Sequence, residues 1–378
     1  MRTVLHWEGR AELKSRQAKL QMQADKQVRA KLFSLFHLAF VQLSLSESYP
    51  PRHRIYRSIA FKILGLPAPH IYIRKVRYAG MLEALATIFI IMGIGVLARS
   101  IGTVREADYK TLNSVIYYIT LPALIFISLY DAGAAVFSDM NLIGANASAL
   151  IAMMFLVLGA SRLLRIPNKL MGILFLTSFF GNIVYMGYPL VELNFGPEGV
   201  PIVVVIATVY NLIVFSIGLA VLQYCSNNIN LSEIPSHLIR NPLLLSSAAG
   251  LLYIYFSLPL PSVFDQSLRL LAHVTAPLAL FSLGVFMYGR NPLANLKLNA
   301  LIAFLKMAFF PALFMLIAGH FDLTGLAYEV SLLEAAMPLA VTNFILADKY
   351  QLDPGIVSSA IVLTTLISPF TLLASGLL

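Results

Sequence analysis

Two stretches of this chain repeat Pro-Leu-x-x-x-Asn-Phe in apolar surroundings, at Pro189-Leu190…Asn194-Phe195 and at Pro338-Leu339…Asn343-Phe344. A proline inside a helix removes a backbone hydrogen bond and clashes with the preceding turn, a cost of about 3 kcal/mol or more. In lipid the freed groups find no water, so such breaks persist only beside protein or a wet cavity. Half-helix N-termini exposed at a break carry free N–H groups and partial positive charge, which suits an anion. Amide side chains can add donors to a carboxylate without the desolvation cost of a buried ion. Asn182 and Asn343 flank the two prolines and are candidate substrate contacts, with Pro189 and Pro338 as the breaks and Tyr185 as a wall of the same cavity. The competing reading of the amides is interhelical glue, worth about 0.6 kcal/mol each. Asn194 lies nearer the edge of its segment and reads as a cap.

Lys306 and Glu334 are the ionisable residues deepest in the apolar segments. Each costs about 2.5–3.5 kcal/mol near a helix centre, and such residues usually face a bundle interior and pair. A Lys306–Glu334 ion pair is expected, with Glu334 as a site for a coupling proton or cation and Lys306 offsetting anionic charge. A purely structural pair is the alternative. His273 beside Thr275 reads more simply as a packing residue than as a proton relay.

The elements that must hold these groups are membrane spans. The chain has 378 residues, 58% hydrophobic and 12% charged, where soluble domains carry about 25% charged residues. Ten apolar runs of about 20 residues, enough to cross a hydrocarbon core, fall at 82–98, 111–130, 143–161, 170–191, 200–224, 238–256, 264–287, 298–318, 326–347 and 355–377. Alternate connections carry Arg99, Arg105 and Lys110; Arg162, Arg165 and Lys169; Arg240; Arg290 and Lys297; and Lys349. Of the remaining connections, only the one holding Asp265 has a basic residue, Arg269. That alternation follows the positive-inside rule for a multi-pass protein of the cell membrane.

The net charge of +9 comes from one end of the chain. Residues 1–80 hold 15 Lys+Arg against 4 Asp+Glu, whereas residues 81–378 hold 12 against 14. No recognition motif accompanies the basic tail, so nucleic acid is not expected as a partner. A tail so basic lies on the wrong side for the first span, and Met81 is a natural start. Residues 1–80 are therefore expected to be a disordered or non-native extension without a fold of its own. The single Cys225 excludes an intrachain disulfide and an all-cysteine metal site.

Within 81–378 the halves echo one another. Thr120-Leu121-Pro122…Phe126 matches Thr275-Ala276-Pro277…Phe281, and the two Pro-Leu-x-x-x-Asn-Phe motifs match at a similar offset. Each match places segment n on segment n+5. Five is odd, so the second copy enters from the opposite face, giving an inverted repeat. The expected fold is an all-α membrane protein of ten transmembrane helices. Two inverted five-helix repeats, 81–224 and 238–378, are joined by a short cytoplasmic linker, 225–237, with broken segments four and nine crossing.

The chain resembles the auxin efflux carrier family, within the superfamily that includes bile acid–sodium symporters. The likeness is carried by Leu112-Asn113…Leu121-Pro122-Ala123-Leu124, Gly181-Asn182…Gly187-Tyr188-Pro189-Leu190, Tyr210-Asn211, Asn241-Pro242, Ala276–Gly284, Lys306 and Ala336-Met337-Pro338…Asn343. It covers 81–378. The resemblance implies a scaffold of segments one, two, six and seven beside a mobile domain of segments three to five and eight to ten. It places the crossing of segments four and nine at their prolines, with substrate beside it and Tyr210 and Asn211 lining the cavity. Similar proteins move small organic anions, including dicarboxylates in bacteria and auxin in plants. The short linker points to a compact member of bacterial, inner-membrane type.

The expected function is a secondary or facilitative carrier of small organic anions, such as malate, malonate or auxin-like acids, working by alternating access. Its expected partners are that anion and the lipid bilayer, with a homodimer as the remaining option. No cofactor is expected beyond coupling to H+ or Na+. The alternative is a membrane sensor or receptor that keeps the carrier fold. The chain shows no Walker A motif, no Gly-x-Ser-x-Gly elbow and no His-Glu-x-x-His pair, so ATP drive and enzyme chemistry are not expected.

Overall fold

In the computed structural model the described residues are 69–133, 139–226 and 233–375. Residues 1–68 of the basic extension and residues 227–232 of the central linker lie outside them. The chain is an all-α membrane protein: among the described residues, seven helices are long and apolar enough to cross a membrane. Helix α1 (Pro69–Ser100) opens before Met81, so the boundary expected at 80/81 falls within a helix. Segment two comprises α2 (Glu106–Val115), a π turn (Ile116–Thr120) and α3 (Leu121–Ala132). Then follow α4 (Met140–Leu163) and a fourth segment interrupted between α5 (Asn168–Phe179), a π turn (Ile183–Gly187) and α6 (Tyr188–Phe195). Segment five is α7 (Val200–Ile213), a π turn (Val214–Gly218) and α8 (Leu219–Cys225), with the short α9 (Glu233–Ile239) after it.

The second part begins with α10 (Pro242–Tyr255), a shorter apolar helix, and α11 (Ser262–Met287). Segment eight is α12 (Leu296–Phe304), a π turn (Leu305–Phe309) and α13 (Phe310–Ala318). Segment nine is interrupted between α14 (Gly325–Ala335) and α15 (Thr342–Lys349), and α16 (Pro354–Ser375) ends the description.

Three of the π turns have a common local cause. Each stands just before an Xaa-Pro step: Leu121-Pro122, Tyr188-Pro189 and Phe310-Pro311. The residue preceding the proline reaches back five positions, Leu121 N–H to Ile116 O, Tyr188 N–H to Ile183 O and Phe310 N–H to Leu305 O. Proline brings no N–H and crowds the carbonyl four residues back, and a widened turn gives that carbonyl room. The three prolines thus start new α-helices. They do not unwind the chain.

Packing divides the helices into two sets. Helices α2, α3, α10 and α11 pack together, while α4, α5, α7, α12, α13, α14 and α16 pack on one another. Helix α1 joins the first set through Gly95 and Gly284, where the backbones of α1 and α11 touch. A Cβ on Gly95 would overlap the carbonyl oxygen of Phe281, and one on Gly284 that of Met92. Such close approach is how helices associate where water supplies no hydrophobic drive. Ion pairs tie the same set at both ends. Arg269 grips both oxygens of Asp131 at 2.7 Å and Asp265 at 3.0 Å. At the other end Glu106 bridges Arg99 at 3.1 Å and Arg290 at 3.5 Å. These contacts bring the first and seventh connections to one face and the second and sixth to the other, as the charge alternation requires.

The glycine contact gives the first prediction. Gly284→Ala forces α1 and α11 apart and should lower unfolding stability in detergent by about 1–3 kcal/mol. Gly93→Ala, with nothing within 4 Å of the new methyl, should not lower it. Equal thermal melts for the two variants would contradict this account of the joint.

Candidate functional site

The two interrupted segments meet where their backbones leave the helix. Asn182 N–H donates to Pro338 O at 2.7 Å, and Ala340 N–H donates to Phe180 O at 3.1 Å. The pair forms an isolated antiparallel bridge between Gly181 and Leu339. Unpaired backbone groups at this depth would each cost several kcal/mol, so each break satisfies the other. Leu339 N–H also reaches Thr364 Oγ1 at 3.3 Å.

The crossing corrects one expectation. Pro338 lies inside the break of segment nine, but Pro189 starts α6, beyond the π turn. Segment four unwinds at Phe180–Asn182, where no proline stands. The Pro189–Pro338 sequence match therefore pairs positions that are not equivalent at the crossing, where Gly181 faces Leu339. The reason is local: Pro189 is accommodated by its π turn, whereas at Gly181 a Cβ would meet Lys306 Cε at 2.9 Å and Nζ at 3.1 Å.

Lys306 and Asn343 close the C-terminal ends of the broken helices. Lys306 is fully buried, and its Nζ donates to Ala335 O at the end of α14 and lies 5.0 Å from the Phe310 ring centroid. Asn343 Nδ2 donates to Phe180 O, just past α5, at 2.9 Å. Free carbonyls at a helix end carry partial negative charge, and here internal donors occupy them.

The opposite ends face a partly open cavity with ≈ 540 Å³ of empty space, open solvent included. Its lining includes Ile183–Tyr185 and Val341–Thr342, which open the second halves of both broken segments, together with Asn182, Tyr210 and Asn211. Across from them stand Tyr117 and Leu121 of segment two and Leu243 of α10. Asn182 Nδ2 and Tyr210 Oη are buried without a hydrogen-bond partner. Tyr185 Oη instead donates to Asn113 Oδ1 at 2.7 Å, linking the crossing to segment two. No lining residue carries a formal charge.

Of the residues singled out from the sequence, Asn182, Tyr185, Tyr210 and Asn211 line this cavity, while Pro338 and Asn343 belong to the crossing behind it. The Lys306–Glu334 contact does not form. Lys306 turns to Ala335 O, and both Glu334 oxygens are buried without a partner against Gly187, where a Cβ would overlap the carboxyl group. Each charged side chain thus lies in its own glycine notch on segment four. Sequence reasoning missed Phe180, Tyr117, Asn113 and Thr342. Phe180 acts through its carbonyl, which no side-chain pattern reports, and Tyr117 and Asn113 are brought in by packing across the two helix sets.

Asn343→Ala should lower unfolding stability by about 1 kcal/mol, since it removes one of the two hydrogen bonds on Phe180 O and leaves the one from Ala340 N–H. Asn182→Ala loses no side-chain hydrogen bond and should leave the detergent melting temperature nearly unchanged. Comparing the two melts separates the crossing residue from the cavity residue.

The family model described as membrane transport protein matches residues 81–374. An uncharacterized transporter of Methanothermobacter thermautotrophicus is 28% identical over 296 residues, covering 77% of this chain and 96% of that protein. An uncharacterized transporter of Methanocaldococcus jannaschii is 22% identical, over 76% of this chain and 95% of that protein. Auxin efflux carrier component 8 of Arabidopsis thaliana is 32% identical over 143 residues, 36% of this chain and 39% of that protein.

Proposed function

We propose that this chain, which belongs to the membrane transport protein family, carries small organic monocarboxylates across the membrane by alternating access. The anion binds in the cavity at the crossing. The helix set holding the crossing moves against the set of α1–α3, α10 and α11, and the two five-segment halves act as inverted repeats.

One observation carries this reading: the two sorts of helix end at the crossing are treated differently. The carbonyl ends are closed by Lys306 and Asn343, while the N-terminal ends line the cavity beside the unpartnered Asn182 Nδ2. The first N–H groups of a helix lack intrahelical partners, so the open wall offers donors and partial positive charge to a carboxylate. Apart from Asn211, the rest of the lining is mostly apolar or aromatic, including Phe180, Phe215, Leu243 and Tyr117. A second carboxylate would enter that wall without a compensating charge, a costly burial. The cavity therefore favours an acid with one charge and an apolar body over malate or malonate, in keeping with relatives named auxin efflux carrier components.

Proteoliposomes containing the purified protein should take up labelled indole-3-acetate in preference to malonate. Asn182→Ala should weaken indole-3-acetate binding about tenfold or more, the effect of losing one hydrogen bond to a charged group. Preference for malonate would overturn the single-charge reading. Binding without any flux would make the protein a receptor rather than a carrier.

A further inference from the structure

The most anomalous group at the crossing is Glu334, which is 1% exposed and has neither carboxyl oxygen hydrogen-bonded. Its carboxyl group lies against Gly187, a position that only glycine leaves free. An ionised carboxylate buried without a partner is far more costly than the neutral acid. We infer that Glu334 is a proton-binding site and that one proton travels on it with each anion, making the carrier an electroneutral symporter. Only the anion's passage rests on the function proposed above; the proton site stands on this geometry.

The groups around Glu334 support a proton in place of a metal ion. Helix α7 brings Tyr210, whose hydroxyl is also unpartnered. The π turn of segment eight brings Lys306, with its ammonium on Ala335 O. The π turn of segment four brings Tyr185, whose hydroxyl is turned to Asn113. Helices α13 and α16, also packed on α14, carry no titratable side chain, and α4 carries Arg162 only in its last turn. Among the described residues no group of three or more His, Cys, Asp or Glu gathers to hold a metal.

Charge balance then couples the proton to the anion. With Glu334 protonated, the Lys306 ammonium is left as a positive charge behind Gly181, which lines the cavity. An anion bound there brings the sum to zero. When the anion leaves and the proton follows it into the same solution, the carboxylate and ammonium balance each other. A net charge in a site of low dielectric is the costly state, so proton and anion each favour the binding of the other, and reciprocally. The overall step moves one proton and one carboxylate from one side to the other. No bond other than that to the proton is made or broken.

The test uses the full chain in proteoliposomes with labelled indole-3-acetate. Wild type should accumulate the label about tenfold per unit of pH gradient, unaffected by a potassium–valinomycin voltage. In Glu334→Gln, a neutral isostere of the acid, accumulation should no longer follow the pH gradient, and the remaining flux should respond to voltage. A merely structural role would lower both responses alike. Wild-type uptake driven by voltage or by a sodium gradient, with no pH response, overturns the inference without recourse to any variant. A substrate-free measurement keeps the site separate from the carrier reading. The infrared spectrum of wild type should show a titratable carboxylic-acid band that is missing from Glu334→Gln. That band without any carboxylate flux would sink the carrier reading and leave the proton site standing, whereas its absence would sink the proton site whatever is transported.

Discussion

Backbone groups removed from a helix inside a membrane must be satisfied by protein, and that constraint organises this molecule. Segments four and nine could not be interrupted separately, because each break frees carbonyls and amides that lipid cannot solvate. Crossed, they serve one another through Asn182 N–H to Pro338 O and Ala340 N–H to Phe180 O. Asn343, Thr364 and Lys306 complete the accounting at the neighbouring groups. The irregular backbone that results is buried, and only its donor-rich side opens into the cavity.

The same accounting explains the placement of charge. A lysine and a glutamate within one helix set would ordinarily pair, yet each is lodged against a different glycine of segment four, Gly181 or Gly187. The ammonium is useful at the end of α14 because a carbonyl there would otherwise be bare. The carboxyl group has no such partner, and the proposed proton site rests on that. Around this core the other helix set is stiff, with glycine-to-backbone contact between α1 and α11 and ionic clamps on Asp131 and Glu106. The proposed alternating access rests on this division into a closely joined set and a set that carries the crossing.

Much of this was legible in the chain. Apolar run lengths identified a multi-pass helical protein, and the two Pro-Leu-x-x-x-Asn-Phe motifs marked the two interrupted segments that meet. Asn182 and Tyr185 were recognisable from their place beside the first break, and Tyr210 and Asn211 from the family resemblance. The exact point of unwinding in segment four was not legible. Proline announces a break, but Pro189 is absorbed by a π turn, and the opening at Phe180–Asn182 is paired with a segment more than 150 residues away.

What the sequence determined alone was therefore whatever depends on local chemistry: which stretches are apolar enough to span, which side chains are too polar to face lipid, and which residues cannot continue an ordinary helix. Tertiary structure decided which of those groups are satisfied and which are left open. It turned Lys306 to a carbonyl, turned Asn343 inward to hold the crossing, and left Asn182 and Glu334 without partners. A hydrogen bond in a membrane interior is a choice among competing donors at close range, and only the packed arrangement brings those competitors together.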